Sequence, residues 1–304
     1  MLRGDSSGIK YFFISFSITL IVLTIIFIPI YLVVTPKKID EGSNIINIVE
    51  NNNFPKMDYS PRKEDIISIL IALTDESDHL VAIYLCGMNP ITQQISASSL
   101  PTGLIFQREN ESVTFERQYS EKGMIGLQNA VKILFDVDVP KYARITKSQF
   151  ISIVNYIGSL EYLVPENLVY EETDQNIFIN IPEGMQDLDG ERLYTLMTFP
   201  GFDDTVFKHK LYTDIITSYI NQRMDRWYYD NIDTIFPFIA NQSDSNISIM
   251  DHTRYKRAIL YTISSDKSIG SSVFLDIISD ESGVNIMQES KDLIDVHFNQ
   301  ALTK

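Results

Sequence analysis

The residues best able to do chemistry fall in three short stretches. Asp75, Glu76 and Asp78 crowd one polar segment, Asp203 and Asp204 follow Pro200-Gly201, and Lys208, His209 and Lys210 begin four residues after Asp204. Clustered carboxylates can hold a cation, but Asp and Glu are also ordinary turn residues, and this acidic tip reads first as a solvated turn. Asp204 likewise suits a turn or a helix cap. Lys208 and Lys210 offer point charges to a phosphate, against a competing reading as local ion-pairing groups. Ser98, Ser99 and Thr102 carry hydroxyls, yet no Gly-x-Ser-x-Gly elbow surrounds them and no histidine is placed to activate them, so they read as structural. His79, His209, His252 and His297 are scattered without the spacing of a zinc site. Trp227, Tyr228 and Tyr229 read as packing or lid residues rather than a sugar platform. The glycosylation-type triplets at Asn110, Asn241 and Asn246 arise readily by chance in an Asn- and Ser-rich chain.

Those residues need elements to hold them. Two β-branched, mostly apolar runs, Asp65–Leu73 and His79–Cys86, flank the acidic segment and read as a hairpin of buried strands. A third strand, Gln94–Ser99, completes a meander. Met124–Phe135 puts Leu127, Val131 and Leu134 on one helical face. Lys141–Thr146 reads as a strand and leads into a helix stopped at Gly158. Leu160–Val164 and the stretch Val169–Ile181 look like further strands, and Asp189 caps a helix through Leu193–Met197. Leu211–Met224 is expected as a long amphipathic helix, a helix pair should end near Tyr261, and Ser272–Ile278 should pair with Val284–Met287. Strands mixed with helices predict an α/β (α+β) fold: a mixed central sheet flanked by helices.

The 304 residues carry 25 Lys+Arg against 40 Asp+Glu, a net charge of -15, which argues against a nucleic-acid binder. Residues 1–34 nevertheless hold only Arg3, Lys10 and Asp5. Within them, Tyr11–Val34 runs 24 residues without a charge, about 36 Å as a helix, which is long enough to cross a bilayer. The run ends in Tyr31-Leu-Val-Val-Thr-Pro36 rather than a small-residue cleavage site, so the expectation is one N-terminal transmembrane helix that is retained. The short tail 1–10 would be cytoplasmic, and everything after residue 34 extracytoplasmic in the cell membrane. Residues 35–64, rich in Asn, Pro and charge, read as a stalk. Cys86 is the single cysteine, so no internal disulfide is available.

Asp187-Leu188-Asp189-Gly190-Glu191, placed about 25 residues after Gly158–Pro165, resembles the Leu-Asp-Gly-Glu helix start and preceding strand of the LytR-CpsA-Psr family. Asp138–Tyr142 followed by Gln149-Phe150 is similar to another segment of that family. The resemblance runs from about Ile66 to Arg223. It implies a domain over residues 65–263, with 264–304 left as a C-terminal strand pair and tail. It also implies an activity: transfer of a glycopolymer from polyprenyl pyrophosphate to peptidoglycan. In such a site arginines neutralise the pyrophosphate and aspartates hold Mg²⁺ on it. By that match Asp75, Asp78 and Asp204 would be the metal carboxylates. The family's arginines fall on Thr102, Thr198, Pro200 and Phe207, with Lys210 replacing one more, so Lys208 and Lys210 are the phosphate-binding candidates. The expectation is therefore a pseudoenzyme that binds or scaffolds an envelope lipid, a polymer or a catalytic relative. The alternatives are an active transferase using the lysines, and an anchored assembly protein with no lipid site. Arg108, Arg117, Arg144 and Arg223 are the arginines that could be supplied from elsewhere.

Overall fold

The computed structural model describes residues 54–172, 177–202, 204–280 and 283–299. The apolar run Tyr11–Val34 lies outside them, and no helix among the described residues is long and apolar enough to cross a membrane. The described residues fall within one compact unit, Asn44–Lys304.

Six strands form a mixed central sheet. The meander β1 (Ile67–Thr74), β2 (Leu80–Asn89) and β3 (Gln94–Leu100) is antiparallel, with Ile71 opposite Tyr84 and Tyr84 opposite Ser99. β6 (Lys141–Thr146) adds to β1 in parallel, and β12 (Gly270–Ser272) adds to β3 in parallel. The two-residue β11 (Asp244–Ser245) closes the other edge against β6. Both faces are covered, which is why these strands read as nearly unbroken apolar runs. Leu73, Tyr84 and Cys86 point into one layer, while Leu70, Ala72, Ile83 and Leu85 point into the other.

The first layer is made by α2 (Lys147–Ile157), α3 (Gly190–Met197) and α4 (Thr205–Arg223). The second is made by α1 (Phe115–Phe135) and α7 (Gln288–Phe298). α5 (Arg226–Asn241) and α6 (Ile249–Ile263) follow α4 as the expected helix pair. Ribbons hang on this frame: β4 (Ile105–Arg108) with β5 (Glu111–Thr114), β7 (Leu160–Val164) with β10 (Gly184–Leu188), β8 (Leu168–Glu172) with β9 (Ile177–Ile181), and β13 (Ile277–Asp280) with β14 (Gly283–Ile286).

Several expectations change in detail. α1 starts nine residues before Met124, capped by Thr114, and continues across a break at Gly123 (φ 59°, ψ −151°). The stretch Val169–Ile181 is a two-stranded ribbon. Residues 270–272 join the main sheet, and α7 follows the terminal ribbon where only a tail was expected.

Gly190 shows what the Leu-Asp-Gly-Glu motif does. Asp189 caps α3 by accepting from the Arg192 N–H, and the Gly190 N–H donates to Asn155 Oδ1 at 2.9 Å. A Cβ at Gly190 would lie 2.6 Å from the Ile151 carbonyl oxygen, so α3 can approach α2 this closely only with glycine there. Gly190→Ala should cost about 1–3 kcal/mol in urea unfolding, the range for overpacking against backbone that cannot yield.

Candidate functional site

The tip between β1 and β2 carries the acidic residues, and each is already engaged. Asp75 Oδ1 accepts from the Ser77 and His79 N–H groups, both at 2.8 Å, and Oδ2 lies 2.8 Å from His79 Nδ1. The bond with His79 holds the Asp75 carboxyl below its ordinary range, and it raises His79 in return. Glu76 Oε1 accepts from the Ser148 N–H at 2.8 Å, capping the exposed start of α2. Asp78, in a left-handed conformation (φ 67°), accepts from Tyr119 Oη at 2.6 Å and from Arg144 Nη1 at 2.7 Å. Burial pushes the Asp78 carboxyl up, but these two hydrogen bonds outweigh it and leave the group below its usual range. Arg144 also reaches Asp244 at 3.2 Å. A shallow cavity of about 290 Å³ opens here, lined by Asp78, Tyr119, Lys122, Tyr142, Arg144 and Asp244.

Of the four arginines that could be supplied from elsewhere, Arg144 reaches the tip. Arg108 and Arg117 are tied into Glu111 and Glu121, and Arg223 lies against Gly158. Asp204 caps α4, its Oδ1 accepting from the Val206 and Phe207 N–H groups. Among the described residues, no group of three or more His, Cys, Asp or Glu is arranged to hold a metal. Lys208 and Lys210 do not converge, since residues two apart on a helix face different ways. The Lys208 ammonium sits 5.8 Å from the centre of the Tyr212 ring, and burial lowers its pKa, while Lys210 is exposed.

The positions matched to arginines are built into packing or turns. Phe207 meets Phe202 at 5.7 Å, and Phe202 meets Phe199 at 5.0 Å and Tyr212 at 6.2 Å. Tyr170 closes the cluster against Phe199 at 6.2 Å. Thr198 bonds back to the Tyr194 carbonyl at the end of α3, Thr102 accepts the Glu116 N–H in a turn, and Pro200 is exposed.

One pairing corrects the sequence reading outright. Ser99 Oγ lies 2.8 Å from His209 Nδ1, so a histidine is placed beside that serine after all. Both residues are buried, and His209 is pushed down to about 3 by desolvation and, less strongly, by Lys208. The pair belongs to a buried polar stripe on α4. The Ser99 N–H donates to Thr213 Oγ1 at 2.9 Å, and Thr217 Oγ1 meets Ser272 Oγ at 2.7 Å. Residues 209, 213 and 217 recur at helical spacing, so α4 meets β3 and β12 through hydroxyls and a neutral imidazole, beside the buried Leu211 and Ile215. A polar face at that period is what hid the first turns of α4 from a reading based on apolar periodicity.

A mixed six-stranded sheet between two helical layers, with a carboxylate tip after its first strand, defines the class. The LytR_cpsA_psr family model matches residues 37–199, more than half of the chain, and the chain belongs to the LytR-CpsA-Psr family. Among solved structures, a Eubacterium siraeum DSM 15702 protein named as a transcription regulator superposes with a TM-score of 0.71 at 21% identity, over 83% of this chain and 96% of that one. TagV of B. subtilis gives 0.60 at 16% identity over 77% and 97%. TagT, solved bound to LIIa-WTA, gives 0.58 at 15% identity over 80% and 94%. At these identities the likeness is one of fold. An uncharacterized Staphylococcus aureus protein (strain NCTC 8325 / PS 47) is 21% identical over 255 residues, 79% of this chain, and the match spans 62% of that relative's length.

Proposed function

We propose that this chain is a single-pass, extracytoplasmic cell-envelope protein whose LytR-CpsA-Psr domain binds or scaffolds a glycopolymer, its polyprenyl pyrophosphate carrier, peptidoglycan or a catalytic relative, without transferring the polymer. The observation that carries this reading is Phe207, which the family match aligns with a pyrophosphate-binding arginine and which packs against Phe202 in an aromatic cluster with Phe199 and Tyr212. Replacing arginine by phenylalanine removes both charge and a forked donor set that a metal alone does not replace. The tip is a poor fit to Mg²⁺ for the same kind of reason. Asp75 already takes three donors, and Asp78 Oδ1 takes a phenol and a guanidinium, so little lone-pair capacity is left there for a cation. TagT's complex with LIIa-WTA supports a glycopolymer as the class of ligand.

The purified full chain, given a polyprenyl pyrophosphate-linked glycopolymer, peptidoglycan and Mg²⁺, should release no polyprenyl monophosphate above background and form no polymer–peptidoglycan phosphodiester. Transfer that disappears in Asp75→Ala would sink the reading and support an active transferase instead. For the anchor, Thr35–Lys304 should be digested by protease added outside intact protoplasts. Protection until lysis would place the domain inside the cell.

A further inference from the structure

The chain enters the domain through Phe54–Arg62, and arginines and aromatic rings hold this strap on α5 and α6. The Arg226 guanidinium lies 5.9 Å from the Phe54 ring centre, and Tyr59 meets Tyr261 at 5.2 Å and the Arg257 guanidinium at 5.6 Å. Arg254 Nη2 donates to the Glu64 carbonyl at 3.0 Å, and Arg257 Nη2 donates to the Asp58 carbonyl. Between them lies an open cavity of about 320 Å³, lined by Arg62, Arg254 and Arg257 together with Tyr59, Ser60 and the carboxylates Asp58 and Asp65. Arg62 is neutralised by Asp65 at 3.3 Å. Among the described residues, Arg254 and Arg257 make no ion pair with a carboxylate. Each guanidinium has five N–H donors and uses one on a backbone oxygen, so a planar donor set from two side chains faces the cavity. The cavity lies before β1 and the acidic tip after it, so an eight-residue strand, about 26 Å long, separates the two.

We infer that this cavity binds a phosphate group, from an anionic lipid headgroup or free phosphate, with Arg254 and Arg257 as its ligands. Chain length permits the headgroup: Phe54 follows Val34 by 20 residues, which reach at most about 70 Å. The headgroup source rests on the membrane-anchored reading, whereas the phosphate chemistry does not.

The full chain in dodecyl maltoside would be titrated by thermal melting with inorganic phosphate, with phosphatidylglycerol in mixed micelles, and with phosphatidylcholine as a zwitterionic control. Saturable stabilisation that weakens with salt is expected from phosphatidylglycerol and not from phosphatidylcholine. The double variant Arg254→Ala/Arg257→Ala should bind about tenfold more weakly or worse, the loss of at least one charge-assisted hydrogen bond. Arg226→Ala, which loosens the strap without lining the cavity, should bind as the wild type does. Saturation by phosphatidylglycerol assigns the lipid source, and saturation by inorganic phosphate alone assigns a soluble one and holds even if the chain proves not to be anchored. The inference is overturned if neither probe saturates, if the double variant binds unchanged, or if Arg226→Ala loses binding equally.

Discussion

Between pH 7.5 and 5, the wild type should lose about 2 kcal/mol of unfolding free energy that a His209→Asn variant does not lose. The source is the buried imidazole, held down to about 3 against an ordinary value of 6.5. Below pH 6.5 the unfolded chain takes up a proton at this residue and the folded chain does not. The stabilising contribution is therefore complete above pH 6.5 and declines as pH falls toward 3, by about 1.4 kcal/mol per unit and about 4–5 kcal/mol in all. Two other histidines titrate in the same range: His297, lowered by burial, adds to the loss, and His79, raised by Asp75, opposes it. Comparing wild type with variant cancels both. Asn keeps a polar atom near the position of Nδ1 for Ser99 Oγ, so the variant should be less stable at pH 7.5 yet flatter with pH. Urea unfolding at half-unit intervals checks this. Parallel curves would mean that the ring is protonated in the fold and that its partner is not a neutral Ser99 pair.

The sequence exposed whatever depends on neighbours in the chain. The meander β1–β3, the β6–α2 unit ending at Gly158 and the Asp189 cap all follow from apolar runs bounded by turn and cap chemistry, and they stand where they were expected. Elements whose buried stripe is thin were missed. α7 buries only Ser290, Ile294 and Phe298, one residue per turn. The β4–β5 ribbon turns at Glu109 (φ 58°), which carries no glycine signal. The helix expected from Met124 is longer, and Gly123 breaks it rather than starting it. The site suffered most, because its contacts join distant residues: Ser99 and His209 are 110 apart in sequence, and Asp78 and Arg144 are 66 apart. An acidic tip was legible as a cluster of charges. Its engagement by Arg144 and Tyr119 was not, since register and topology bring those groups there rather than any local pattern.

Phe298→Ala should destabilise the domain by about 3–5 kcal/mol, the range for removing a fully buried aromatic ring. Phe298 is 1% exposed at the end of α7, and its ring sits on the one position of β2 that lacks a side chain. A Cβ at Gly87 would stand 2.9 Å from Phe298 Cδ1, so the glycine is the socket for the ring. The backbone is fixed as well: Ser68 Oγ donates to the Phe298 carbonyl at 2.9 Å, and Ser290 Oγ accepts the Asp276 N–H at 2.7 Å. α7 thus closes the second core layer over β1 and β2, which is why residues after 264 should unfold together with the sheet in one transition rather than as a separate tail. A double-mutant cycle isolates the contact. Gly87→Ala alone should cost about 1–3 kcal/mol by overpacking. In the Phe298→Ala background the same methyl enters the vacated space, so its cost should vanish or reverse. Additive losses, or a Phe298→Ala cost below about 1 kcal/mol with an early partial transition, would show that α7 folds apart from the sheet and leaves the core sealed without it.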